Sequence, residues 1–256
     1  MAPFLEARGI GKRFGALQAL EGIDLALAEG EVTALVGDNG AGKSTFVKIL
    51  AGAHPPSCGE LLIGGAAVRL RSPQDAAACG IATIYQELAV AENLSVVENV
   101  FLGRERSRRL LGVPFLRRRA MRERVRQLLR ELDAHVPDPD APVGSLSGGQ
   151  RQAVAIARAL EREARLVIMD EPTAALAVAE TRKVLELIRR LRAGGRAVLL
   201  VSHNLADVFA VADRIVVFRR GREVAERRRA ASDPEEIVAL ITGAHPSLRT
   251  LEQAVA

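Results

Sequence analysis

The chain has 256 residues, 36 Lys and Arg against 31 Asp and Glu for a net charge of +5, and 48% apolar residues. That apolar content fills a globular core and excludes a disordered chain, while its longer apolar runs, such as Val198 to Val201, fall far short of the roughly 18 residues of a membrane span. With one Tyr and no Trp it offers few platforms for stacked bases, so no nucleic-acid partner is expected; the basic excess, much of it between Arg104 and Arg130, reads as a solvated or lipid-facing surface. The start, Met-Ala-Pro-Phe-Leu-Glu, lacks the basic and apolar parts of a signal peptide, and Cys58 and Cys79, which form no C-x-x-C pair, suggest reduced thiols in a cytoplasm.

In chain order, Phe4 to Ile10 and Ala16 to Leu27 read as strands, and with Glu60 to Ile63 and Ala67 to Leu70 they predict a small antiparallel sheet. Phe14 stands beside a glycine turn, where it could stack on a nucleotide base or belong to the core. Glu31 to Val36 predicts a buried strand and Ser44 to Ala51 a helix. Between them runs Gly37, Asp38, Asn39, Gly40, Ala41, Gly42, Lys43, Ser44 and Thr45, which fits the phosphate-loop pattern G-x-x-x-x-G-K-[ST]. Gly40 and Gly42 let the backbone bend around an anion so that successive N–H groups face it at the positive end of the helix. Lys43 adds a full charge for the outer phosphates, and the Ser44 hydroxyl suits Mg²⁺.

Gly80 to Gln86 predicts another buried strand, and Gln86 at its end could reach a metal or water near the phosphates or be an ordinary loop residue. Ser95 with Glu98 makes a capping box, and Val125, Leu128, Leu129 and Leu132 make a helical stripe, so residues from about 90 to 163 are expected to be largely helical, interrupted at Pro137, Pro139 and Pro142. Leu146-Ser147-Gly148-Gly149-Gln150 precedes an Ala- and Arg-rich helix, expected over Arg151 to Glu163, and makes a second anion-binding helix start with Ser147 as its cap. Leu166 to Met169 is a strand that ends in Asp170, Glu171 and Pro172 at the sheet edge where ligands bind. There Asp170 can hold Mg²⁺ and Glu171 can polarise an attacking water. Arg196 to Ser202 is a further strand, with His203 at its end as a phosphate-bridging or merely capping residue, and Asn204 opens a helix. Arg214 to Phe218 gives the last strand, and Ser232 to Leu240 a closing helix.

Five motifs in this order, Gly37 to Thr45, Gln86, Leu146 to Gln150, Leu166 to Glu171, and His203, resemble the nucleotide-binding subunit of ATP-binding cassette (ABC) transporters. The resemblance covers nearly the whole chain. Val36 to Lys43, Ile49 to Gly52, the Pro-Asp-Pro-Asp-Ala-Pro-Val-Gly run before the signature, Glu171 to Leu176 and Val201 to Leu205 are similar to the ATPases of bacterial pentose and hexose importers. It implies one α/β domain over residues 1–256: a P-loop NTPase core with an antiparallel β subdomain and an inserted α-helical signature subdomain at about 90–163. It also implies that two cassettes pair head to tail, ATP on Phe14, Gly37 to Thr45 and Gln86 of one being covered by Ser147 to Gln150 of the other. Ser44, Gln86 and Asp170 would surround Mg²⁺, while Lys43, Glu171 and His203 would carry the hydrolysis.

The implied partners are integral membrane permease subunits, docking on the segment from Gln86 to about Arg104, a periplasmic or extracellular sugar-binding protein, and a second ATPase subunit or copy, with this chain itself peripheral at the cytoplasmic face of the bacterial cell membrane. Another cargo, amino acid or lipid, or a soluble non-transport cassette ATPase are the alternatives. Two departures from the family stand out: many sugar importers fuse two cassettes where one is present here, and Ala177 replaces a frequent Asp, which removes a possible helix cap.

Overall fold

The computed structural model describes residues 3–85, 89–110, 113–174 and 176–245. Its central sheet has six strands in the order β12-β11-β3-β10-β9-β6: β3 (Val32–Gly37), β6 (Ile81–Ile84), β9 (Leu166–Asp170), β10 (Ala197–Val201), β11 (Arg214–Arg219) and β12 (Arg222–Arg228). All neighbours pair in parallel except β12, which folds back antiparallel on β11. Strands β3 and β10 are buried at every position, as their continuous apolar sequences require of strands covered on both faces. Alternate residues point to opposite sides: Leu199 and Val201 of β10 join one core, Val198 and Leu200 another.

A second sheet, entirely antiparallel, orders as β2-β1-β4-β5: β1 (Leu5–Phe14), β2 (Leu17–Leu27), β4 (Cys58–Ile63) and β5 (Ala66–Val68). Helix α1 (Lys43–Leu50) lies in the core between the two sheets, where Phe46, Val47, Ile49 and Leu50 meet Leu5, Ile10 and Ile23 from one and Leu35, Ile168 and Phe218 from the other. Its Phe46 ring packs edge-on against Phe218 with centroids 5.5 Å apart. The short α2 (Pro73–Ala78), capped by Ser72, leads into β6. Arg214, buried at the start of β11, bonds Glu31 at 3.0 Å, Thr33 Oγ1 at 3.1 Å and the Ala26 carbonyl, and so ties the two sheets together beside the entry to β3.

The other face of the central sheet carries α3 (Val96–Phe101), α4 (Arg118–Glu131), α5 (Gly148–Glu161) and α6 (Val178–Ala193) in one core. The expected capping box closes α3 in both directions, Ser95 Oγ accepting from Glu98 N at 3.2 Å and Ser95 N donating to Glu98 Oε2 at 2.9 Å. The stripe Val125, Leu128, Leu129 and Leu132 is buried as its spacing requires. Helix α5 starts three residues before the expected Arg151, because Ser147 caps it and both glycines enter the first turn. A feature that the sequence reading does not contain stands among these helices: a two-stranded hairpin of β7 (Ser107–Leu110) and β8 (Val113–Leu116), joined to neither large sheet. Helices α7 (Leu205–Val211) and α8 (Pro234–Thr242) cover β3 and β11 at the remaining edge, with Asn204 and Asp233 as their caps. Among the described residues, no helix is long and apolar enough to cross a membrane.

Candidate functional site

Register fixes the site. Leu35 of β3, Val201 of β10 and Asp170 of β9 stand level across three adjacent parallel strands, so the chain leaves the carboxyl edge at Gly37, His203 and Glu171 within two residues of one line. Open parallel sheets bind ligands at this edge.

The loop after β3 turns through Gly37, Gly40 and Gly42 at φ 151°, 77° and 105°. A Cβ on Gly37 would collide with the Phe218 carbonyl of the neighbouring strand, and one on Gly42 would lie 2.7 Å from Leu20 Cδ2. Gly42 is the N-cap of α1 and supplies no side chain to cap it. The first-turn N–H groups of Lys43, Ser44 and Thr45 find no acceptor among the described residues. An uncapped helix start of this kind is an anion site. Lys43 Nζ donates to the carbonyls of Gly37 and Asp38 at 2.7 and 3.0 Å, while Asp38 Oδ1 accepts from Asn39 N at 2.7 Å and the Asp38 carbonyl from Ala41 N at 3.1 Å. Burial pulls the Lys43 ammonium below its usual range, opposed by the charges of Glu171, Asp170 and Asp38. Asp170 is pushed above the usual carboxylate range by burial and by Glu171, with Lys43 and Lys48 opposing. Ammonium and carboxylates therefore face each other in one poorly hydrated space.

Glu171 sits at φ 49°, unusual for a residue with a side chain, and its N–H bonds the Val201 carbonyl at 2.9 Å. This bend brings Glu171 Oε1 to 2.8 Å from His203 Nδ1 and lets it accept from His203 N at 3.1 Å. His203 is not the helix cap, because Asn204 Oδ1 takes that role by accepting from Ala206 N. Phe14, at the end of β1, is 44% exposed, which removes the core reading; its ring meets His54 edge-on at 5.7 Å, with Lys12 Nζ 5.1 Å from its centroid. Gln86 lies outside the described residues.

The second helix start is built differently. Ser147 Oγ accepts from Gln150 N at 3.4 Å, Gln150 Oε1 accepts from Ser147 N at 3.0 Å, and Gln150 Nε2 donates to the His135 carbonyl at 2.9 Å. Gly148 packs on the start of α6, near Leu176 and Glu180. Among the described residues no hydrogen bond joins Ser147–Gln150 to Gly37–Thr45; a cleft of about 240 Å³, lined by Glu92, Gly148, Arg151, Glu171, Pro172 and Leu176, lies beside the tip instead.

A phosphate loop, an acidic strand end and a separate Ser-Gly-Gly helix start on one chain narrow the field, and the ABC transporter family profile matches residues 20–174. The chain belongs to the ABC transporter family. Over 242 residues it is 46% identical to the xylose/arabinose import ATP-binding protein XylG of Sulfolobus acidocaldarius, covering 94% of this chain and 95% of that one. It is 46% identical to the fructose import ATP-binding protein FrcA of Rhizobium meliloti over similar shares. The ribose import ATP-binding protein RbsA of Chromobacterium violaceum is 49% identical, but there the chain spans only 46% of the relative's length. Among solved structures, cbiO1 from Clostridium perfringens, part of the ABC transporter complex cbiONQ, superposes with a TM-score of 0.78 at 25% identity over 98% of this chain. A dimeric ATP-binding cassette bound to ADP and Pi matches with a TM-score of 0.71 over 88%. As an ABC cassette, the chain is an ATP-binding, ATP-hydrolysing transporter subunit with the α/β P-loop NTPase fold.

Two polar hubs of this cassette escaped the sequence reading. Arg151 bonds the carbonyls of Leu146 and Gly144 and the Glu92 carboxylate, each at 3.0 Å, and so holds the signature tip against the segment after β6. Asp207, buried in α7, accepts from Thr173 Oγ1 at 2.7 Å and Asn204 Nδ2 at 3.1 Å, which fixes the turn after Glu171 to the turn after His203. The available signal for Asp207 was its place three residues after a helix-capping Asn.

Proposed function

We propose that this chain is the ATPase subunit of a pentose or hexose importer, working as a head-to-tail pair at the cytoplasmic face of the cell membrane. The names of its full-length, single-cassette relatives support a sugar cargo, and the dimeric cassette among its structural neighbours supports pairing. Permease subunits and an external sugar-binding protein complete the assembly. The second cassette is another copy of this chain or a related subunit.

One observation carries the mechanism: the Glu171 carboxylate is clamped by His203 on the same sheet edge that presents Lys43. The free N–H groups of α1 and the Lys43 ammonium hold the outer phosphates of ATP, and Phe14 supports the base. Glu171 orients the attacking water and accepts its proton, which becomes acidic as the water oxygen gives electron density to the phosphorus. His203 holds that carboxylate in line. Ser147, Gly148, Gly149 and Gln150 of the paired cassette close the site from the opposite side.

The residues also fit a hard divalent cation. The Asp170 carboxylate and Ser44 hydroxyl are oxygen donors, and the burial and like charge that raise Asp170 are penalties a cation would relieve. Gln86 is the third proposed ligand. When bound, Mg²⁺ would neutralise charge on the phosphate oxygens.

Glu171→Gln is expected to slow ATP hydrolysis by about 10²- to 10⁴-fold while ATP binding persists; unchanged turnover would refute the assignment. Pairing has its own test: mixing Lys43→Ala protein with Gly149→Ala protein should restore activity above either alone, because a mixed pair keeps one site with both halves intact. Uptake of labelled xylose, ribose and fructose by the complex with its permease reads the cargo.

A further inference from the structure

The hairpin β7–β8 has no part in the ATPase reading. Residues 104–119 hold seven Arg against one Glu, a net +6, whereas the whole chain carries +5. The rest of the molecule is therefore close to neutral, and its basic character is gathered in sixteen consecutive residues.

The base of this ribbon is anchored. Arg106 pairs with Glu161 at 2.6 Å and lies over the Phe101 ring, and Arg117 N closes on the Arg106 carbonyl at 2.7 Å. Beyond that base Arg108, Arg117, Arg118 and Arg119 are exposed, and no side-chain hydrogen bond or salt bridge joins them to another described residue, the charge of Arg118 acting only at longer range on Glu98. Large apolar side chains stand among them. Phe115 is 54% and Leu116 50% exposed, and Arg108 is the cross-strand partner of Phe115, so one face presents a guanidinium and an aromatic ring side by side. A two-stranded ribbon that is hydrogen-bonded to neither large sheet has little to gain in water from exposing such residues.

We propose that this hairpin and the start of α4 form a docking surface for an anionic lipid bilayer. The ribbon meets the bilayer edge-on, so that arginines face the headgroup phosphates while Phe115 and Leu116, which point to its opposite faces, both enter the boundary between headgroups and acyl chains. Charge complementarity argues for the anionic partner, since clusters of four to eight basic residues bind acidic lipid surfaces. The apolar pair argues for a bilayer over a nucleic acid, because a phosphate backbone alone has no use for a Leu beside the Phe. This surface is separate from ATP hydrolysis: a chain blind to lipid would still bind and cleave nucleotide.

The test is flotation of the purified full chain with vesicles of phosphatidylcholine alone or with phosphatidylglycerol added. Binding is expected only to the anionic vesicles and should weaken as salt rises. Arg108→Glu with Arg119→Glu should lower vesicle affinity at least about tenfold, and Phe115→Ser should lower it while leaving salt dependence in place. Melting temperature and ATPase rate of these variants should match the parent, which separates lost docking from lost folding. Equal binding to neutral vesicles, no binding to either, or full binding by the doubly reversed variant would overturn the proposal, as would capture of RNA in preference to lipid.

Discussion

Helices α1 and α5 both begin at glycines and both offer their positive ends at a surface, yet they are finished in opposite ways. The start of α1 is left open: Gly42 gives no cap, three N–H groups go unanswered among the described residues, and Lys43 adds charge from inside the first turn. The start of α5 is partly closed, with Ser147 and Gln150 bonded to each other in both directions, which leaves the Gly148 and Gly149 N–H groups without an acceptor among the described residues. An open terminus is a receptor, whereas a self-capped one can be exposed to water without penalty until something better arrives. The glycines differ too. Gly37 and Gly42 have φ values that other residues rarely adopt and no room for a side chain, so the fold itself demands them. Gly149 has no positive φ, and although it is buried a Cβ there would meet nothing nearer than 3.8 Å, so the fold alone does not require it to be Gly.

That contrast breaks most readily at Gly37. Gly37→Ala should cost about 3 kcal/mol or more in urea unfolding, because the new methyl meets a backbone carbonyl that cannot move aside. Gly149→Ala should do the reverse, gaining up to about 1 kcal/mol from helix propensity while steady-state ATPase falls. A Gly149→Ala protein that is destabilised, or fully active, would mean that the two helix starts are not divided in this way. The smallest effect concerns the helix that supports the tip. Ala177 is the N-cap of α6, in the extended conformation a cap requires but with no side chain to bond, as the sequence suggested. Ala177→Asp is expected to add about 1 kcal/mol of stability, read as a shift in the urea midpoint, with nucleotide affinity unchanged.

The sequence made the open helix start legible because glycine positions and a buried strand are local signals; β3 and α1 lie within one residue of their expected bounds. The capping box at Ser95 and the cap at Ser147 were equally readable, although the part of Gln150 in completing a second box emerged only in the structure. What escaped depends on partners distant in the chain. Arg151 reaches Glu92, Asp207 reaches Thr173 and Arg214 reaches Ala26, and no local pattern announces such contacts. The hairpin escaped for another reason: its arginines obscure strand alternation, and Pro114 argues against a strand except at a sheet edge, which is where a two-stranded ribbon puts it. Gln86, readable as a motif, falls outside the described residues.

The left-handed backbone at Glu171 carries a trade between endurance and work. Asn or Gly would sit there with less strain, about 1 kcal/mol less by the usual cost of such a conformation. Either would also withdraw the carboxylate from His203. A version of this cassette chosen only for heat resistance would therefore drift toward a sturdier protein that holds nucleotide and turns none of it over.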